Sequence, residues 1–418
     1  MSTPAAITVE RHFRRLGQRK DLWPGFEPLR IPAAIYDEAV GQTFLFRHPA
    51  PPAGFQPVAG EAQTVSAPGR YDGITANTSG NISGLGTALM ILPKGTEGTP
   101  ARGAVLVHEA FHVFQREKYP KWAANEADLF VYPFEDMAAL TLRVRETRAL
   151  KYALKSSPTH AAEVVALRQA RFARLALPFI AYERLTELNE GLAQYVEGRT
   201  GAGRRPRLPE GDFPAETVRQ RAYETGQALG MILDRLDPRW REALSAGEAG
   251  SMDELLALAL KRHNIPLPDI KTDAGAERAA LELKTRWEVE QRKARAAFDA
   301  REGWRVELIC SSPLFPQGFD PLNVLRLGKD VLHSRFVKLG NDKSTLETMN
   351  VPALTTAAGE HPLFSGVSKV VVAGLSERPR ADQGERSILI LTAPGLQARL
   401  ASPEIKQADT SRTLRLVL

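Results

Sequence analysis

One cysteine, Cys310, occurs in 418 residues. That scarcity excludes an internal disulfide framework and any cysteine-held metal cluster. Cys310 closes the mostly apolar run 306–310 and reads as a small buried hydrophobe. Long hydrophobic runs are also missing. The run 370–375 is among the longest, far short of the ~20 residues a spanning helix needs, so no membrane span is expected. Residues 1–24 carry Arg11, Arg14, Arg15, Arg19 and Lys20 but no apolar core of the signal-peptide kind, and a cytoplasmic location is the expectation. There is no low-complexity tract and no internal repeat. Net charge is only +6 over the whole length. One local basic cluster, Arg199 with Arg204, Arg205 and Arg207, surrounds a glycine-rich turn and reads as a solvated loop. No RNA-binding aromatic motif or helix-turn-helix accompanies it, so no nucleic-acid partner is expected.

What remains is an ordinary globular composition, 43% hydrophobic and 25% charged, in a chain long enough for two or three domains. Three zones predict an α+β protein. Residues 1–98 are rich in proline and glycine with short apolar segments at 35–36, 43–46 and 87–92, which predicts an N-terminal β-rich or mixed region supplying the strand before the next zone. Residues 99–300 are helical in composition, with stretches at 134–155, 160–175, 179–197, 215–236 and 281–300. Residues 301–418 turn to short β-branched runs at 304–310, 331–339, 369–375, 387–392 and 413–418, a small C-terminal β domain. His333 and His361 stand alone there and read as surface or packing residues.

The densest chemistry is His108-Glu109-Ala110-Phe111-His112. Only 8 histidines occur in the chain, and chance placement of such a group has odds on the order of 1 in 100. Thr99 as N-cap and Pro100 at the first helical position predict a helix from 101 to 118, with Gly103 its one weak spot and Pro120 its stop. On that helix the two imidazoles lie one turn apart on one face, where both reach a single ion, and Glu109 sits beside the water such an ion activates. The other reading of the pair is two core histidines with ordinary hydrogen-bond partners. Two histidines do not complete a catalytic zinc site, which needs a third protein ligand. No histidine follows at the H-x-x-G-x-x-H spacing of metzincins, so downstream carboxylates are the candidates: Asp128, Glu135, Asp136, Glu146, Glu187 and Glu190.

Leu188-Asn189-Glu190-Gly191-Leu192-Ala193, followed by Tyr195-Val196-Glu197, resembles the ligand helix of aminopeptidase N-type gluzincins. The resemblance implies one Zn²⁺ held by His108, His112 and Glu190 in a mainly helical, thermolysin-like metallopeptidase domain over 99–300. Gly191 would let the two ligand helices approach closely. Glu183, Glu187 and Glu197 would then be solvated or hydrogen-bonded to the histidines. Tyr223-Glu224-Thr225-Gly226-Gln227-Ala228-Leu229 is similar to the segment whose tyrosine stabilises the oxyanion in that clan, which implies that role for Tyr223; Tyr182 and Tyr195 are weaker rivals. Two departures stand out. The interval from His112 to Glu190 holds a long helical insertion, and the clan's exopeptidase motif has no counterpart before the zinc helix. Residues 77–84 and the strand 87–92 occupy that region, and 87–92 could pair with an extended substrate.

The expected function is therefore a zinc-dependent hydrolase, a metallopeptidase acting on a peptide or protein through Glu109 as general base. Hydrolysis of non-peptide amides, esters or epoxides, or a catalytically silent zinc protein, are the alternatives. The oligomeric state is left open.

Overall fold

The computed structural model describes residues 3–155, 158–321, 323–384, 387–407 and 412–418. Its class is α+β. By backbone proximity the chain divides into two compact units. The first comprises 1–124, 138–213 and 217–277, the second 125–137, 214–216 and 278–418. The residues of the β-rich zone and most of the helical zone therefore share one unit.

The first unit opens with α1 (Ala5–Gly17), a helix that the composition of the N-terminal zone concealed. Its apolar residues Ala6, Val9, Phe13 and Leu16 recur at helical spacing and are buried, while the arginines that dominate the text lie between them. Five strands follow as β1 (Ala33–Asp37), β2 (Gln42–Phe46), β3 (Gln56–Pro57), β4 (Thr64–Pro68) and β5 (Thr78–Ile82), with β6 (Leu85–Leu92) completing a sheet of order β3-β4-β2-β1-β6-β5. The apolar segments at 35–36, 43–46 and 87–92 became β1, β2 and β6. β5 is polar, and a tight turn at Ser83-Gly84, both at positive φ, folds it back on β6. β6 is interior, parallel to β1 on one side and antiparallel to β5 on the other. A substrate strand therefore cannot add at 88–89, where both edges are already hydrogen-bonded. The edge belongs to β5.

Helix α2 (Pro100–Lys118) starts and stops where its caps predict. Thr99 Oγ1 accepts from Arg102 N, and the chain leaves the helix at Tyr119, before Pro120. Gly103 has a packing cause: a Cβ there would lie 2.7 Å from His12 Cβ and 3.0 Å from the Phe13 backbone nitrogen, so α1 and α2 cross at that point. Five helices come next: α3 (Met137–Ala153), α4 (Pro158–Phe172), α5 (Leu177–Thr186), α6 (Leu192–Arg199) and α7 (Val218–Leu236). Next come α8 (Trp240–Ala246), α9 (Met252–Arg262) and α10 (Ala274–Asp299), the last with its residues from 278 on in the second unit. The expected stretch 179–197 is not one helix. A π turn, Glu187–Gly191, separates α5 from α6. The core gathers the inner faces of α1, β1, β2, β6, α2, α3, α4, α6, α7 and α9. At its aromatic centre Trp23 meets Phe111 of α2 at 5.6 Å, Tyr195 of α6 at 6.5 Å and Trp240 of α8 at 5.5 Å, all edge-on.

The second unit is built on the long strand β7 (Trp304–Phe319). It continues through β8 (Val324–Leu327), β9 (Asp330–His333), β10 (Phe336–Gly340), β11 (Thr345–Met349), β12 (Ala353–Ala357) and β13 (Val367–Leu375). β14 (Arg380–Gln383), β15 (Ile388–Ala393), β16 (Leu396–Ala401), β17 (Glu404–Gln407) and β18 (Thr413–Val417) complete it. The first half of β7 lies between β13 and the parallel β18, and its second half pairs with β10. The expected run 331–339 divides into β9, which joins β8 and β12, and β10, which joins β7 and β11. Cys310 is buried, and burial pushes its thiol up to about 11, which suits a packing residue. His333 is fully buried with Nε2 3.2 Å from Thr355 Oγ1, and His361 Nδ1 accepts from the backbone of Leu363 and Phe364. Among the described residues no helix is long and apolar enough to cross a membrane.

Candidate metal centre

On α2 the imidazoles of His108 and His112 stand with ring centroids 4.8 Å apart, the consequence of their i, i+4 spacing. Their Nε2 atoms face each other at 3.1 Å. Hydrogen bonding settles which nitrogens carry protons. Gln115 Nε2 donates to the backbone carbonyls of Leu188, at 2.8 Å, and Asn189, at 3.1 Å. Its Oε1, 2.9 Å from His112 Nδ1, must therefore accept, so that Nδ1 bears the proton. His108 Nδ1 lies 3.2 Å from Glu197 Oε2 without the alignment of a straight hydrogen bond, and a carboxylate oxygen there also favours a proton on Nδ1. Two Nε2 lone pairs thus converge, an arrangement that repels unless a proton or a cation lies between them.

Glu190 brings the third donor. Its Oε2 is 3.2 Å from His112 Nε2 and 3.9 Å from His108 Nε2, and its Oε1 accepts from Arg219 Nη2 at 2.7 Å. One ligand atom from each of His108, His112 and Glu190 falls within 4.8 Å of the others, a group that could hold a metal ion. Burial opposes charge on His108, yet the nearby carboxylates of Glu190, Glu197 and Glu109 outweigh it and raise its pKa to about 10. Such a pull on a proton marks concentrated negative potential, which is what a cation requires. Burial likewise opposes ionisation of Glu190, but His112, His108 and Arg219 hold its carboxyl well below the usual range. Glu109 shifts the other way. Burial raises its pKa, helped by Glu190 and Glu197 and resisted by the two histidines.

Tyr223 of α7 reaches the same place. Its ring lies nearly parallel to that of His108, with centroids 6.4 Å apart, and its hydroxyl feels the charge of Glu190. Burial and the Glu190 charge push its pKa up, against Arg219, so it stays a neutral donor. A helix crossing makes this possible. A Cβ on Gly191 would sit 2.6 Å from Gly226 Cα and 2.9 Å from the Ala222 carbonyl. The close approach expected of Gly191 is thus to α7, the tyrosine helix, rather than to α2.

The competing carboxylates are engaged elsewhere. Glu187 receives two hydrogen bonds from Arg168, each 2.7 Å, and one from Thr225 Oγ1 at 2.6 Å. Glu146 is fully buried between Arg168 and Arg171, and Glu183 between Arg171 and Arg221. Glu183 and Glu187 are therefore neither solvated nor bonded to the histidines; only Glu197 keeps that expected role. Asp128, Glu135 and Asp136 belong to the second unit. Tyr195 donates to Asp234 at 2.7 Å, and Tyr182 is buried in the core. Arg204 is not merely solvated: it pairs with Glu224 and hydrogen-bonds Gln194 at 2.8 Å. Gln115 and Arg219 were missed in the text, although each stands one helical turn from a residue already singled out. No protein-family model, curated protein or solved structure matches the chain.

Proposed function

We propose that the chain is a zinc-dependent peptidase of the gluzincin type, its first unit organised in the thermolysin-like manner. The observation that carries this reading is the convergence of His108 Nε2, His112 Nε2 and Glu190 Oε2 beside the buried Glu109. Ligands about 2.0–2.1 Å from a tetrahedral zinc stand about 3.3–3.4 Å apart. Two of the three donor separations, 3.1 and 3.2 Å, approach that spacing, and the third is 3.9 Å. Zinc bound there would act as a Lewis acid on the scissile carbonyl and lower the pKa of the attacking water.

The protein's own groups supply the rest. Glu109, with its pKa raised by burial, takes the proton of the attacking water and delivers it to the leaving amine. Tyr223, kept protonated, donates to the oxyanion as charge develops. Gln115 and Glu197 fix both imidazoles with Nε2 unprotonated. Arg219 orients Glu190 through its second oxygen. A peptide or protein is favoured over a small ester or amide because β5 ends the sheet, and an extended chain can add to such an edge by main-chain hydrogen bonds. Zinc should co-purify, chelation should abolish peptide hydrolysis and added zinc restore it. Glu109→Gln should keep the metal and lose turnover; full activity in that variant would sink the mechanism.

A further inference from the structure

The helical insertion between the two histidines and Glu190 has a role in the site. We propose that Arg168, on α4 of that insertion, is a positioning residue: through Glu187 it holds open the π turn that aims Glu190 at His108 and His112. The inference rests on the metal reading of that group.

In an α-helix, residues 187 and 190 would stand only about 60° apart around the axis. Both carboxylates would then point to nearly the same side. Here they serve different neighbours, Arg168 for Glu187 and the two histidines with Arg219 for Glu190. The π turn opens the angle between them. Its signature is the hydrogen bond from Leu192 N to Glu187 O, one residue longer than an α-helical bond. Such turns are rare, so something must hold this one. Glu187 is pinned by side chain and backbone together. Arg168 grips both of its carboxylate oxygens, Thr225 donates to Oε1, and Gly226 admits its main chain so closely that a Cβ there would lie 2.9 Å from Glu187 O. Arg168 is itself fixed by Glu146 of α3, at 2.7 and 2.9 Å. The insertion thus ends in a rigid fork that sets the first residue of the ligand turn.

A matched pair of variants separates positioning from mere stability. Glu187→Gln and Glu183→Gln each remove one carboxylate charge from the same buried network, at side-chain exposures of 3% and 4%. Only Glu187 belongs to the π turn. Zinc affinity of the full chain is measured by competition with a chromophoric chelator, the Co²⁺-substituted protein by its absorption bands, and the metal-free protein by its Tm. Glu187→Gln should weaken zinc about 10–100-fold and shift the cobalt bands. Glu183→Gln should lower Tm comparably and leave both metal readouts unchanged. Arg168→Lys, which keeps the positive charge and breaks the two-pronged grip on Glu187, should weaken zinc in the same direction. It carries the test if Glu187→Gln does not fold, and an unchanged zinc affinity there would then overturn the clamp. Equal zinc affinities in Glu187→Gln and Glu183→Gln also overturn it. Zinc failing to bind the unsubstituted chain overturns the metal reading itself, and the clamp with it.

Discussion

Two clusters of buried charge share the helical unit, and they are balanced differently. Around Glu146, the carboxylates of Glu146, Glu183, Glu187 and Asp212 face Arg143, Arg168, Arg171 and Arg221, four charges of each sign. Around His108, the carboxylates of Glu109, Glu190 and Glu197 have one directly bonded arginine, Arg219. The first cluster satisfies itself, so its contribution is structural. The second gathers three carboxylates around two facing imidazoles, an excess of negative charge that a proton on His108 lessens and a divalent cation would cancel. Burying like charges without a counter-ion is costly. Both clusters are built from the same residue types. What separates them is how far arginines balance the carboxylates.

The sharpest way to break this comparison is to remove Glu109. If the second cluster is catalytic, Glu109→Gln should lower peptide turnover by about 10²–10⁴-fold while zinc content is unchanged. The same kind of substitution in the balanced cluster should do the reverse. Arg171→Met removes both hydrogen bonds that Glu183 accepts from Arg171, at 2.5 and 2.8 Å. It should therefore cost about 3–5 kcal/mol of stability, read by denaturant unfolding, with zinc affinity intact. Next in size comes Tyr223→Phe, which removes one donor to developing charge. Turnover should fall by about 10²–10³-fold at unchanged metal affinity, and a loss of zinc binding instead would recast Tyr223 as a support for Glu190.

The smallest effect is the pH dependence of folding. Glu146 and Glu183 are held below their ordinary value of 4.5, against burial, by Arg168, Arg171 and Arg221. A depressed folded pKa contributes stability that is complete above the unfolded value and declines as pH falls towards the folded one. Thermal stability of the metal-free protein should therefore hold down to about pH 4.5 and decline below it. In Glu183→Gln the decline should be shallower, because one of the depressed carboxylates is gone. An acid limb with the same slope in both proteins would remove the balanced cluster from the account.

Local signals were legible because the residues that set them are neighbours in sequence. Thr99, Pro100 and Pro120 bounded α2, and the spacing of His108 and His112 put both imidazoles on one face. Asn189-Glu190-Gly191 marked the third donor, and Tyr223 was found one helix further on. The helix α1 was equally local yet hidden, since its arginines masked an apolar spacing that burial makes plain. Long-range partnerships were not legible. That Glu187 faces Arg168, 19 residues before it, and Thr225 was hidden in the sequence. Nor could β6 be recognised as interior, because its neighbours are β1, some fifty residues earlier, and a polar β5.

By itself the sequence determined the helix that carries two histidines and a glutamate, and the chemistry those three side chains can perform. Periodicity and capping act within a few residues and need no partner. Tertiary structure alone decided which tautomer each imidazole takes, which arginines hold the other carboxylates and which strand offers an edge. Those choices depend on residues far apart in the chain meeting in space, and on burial, which turns an ordinary charge into one that must be paired.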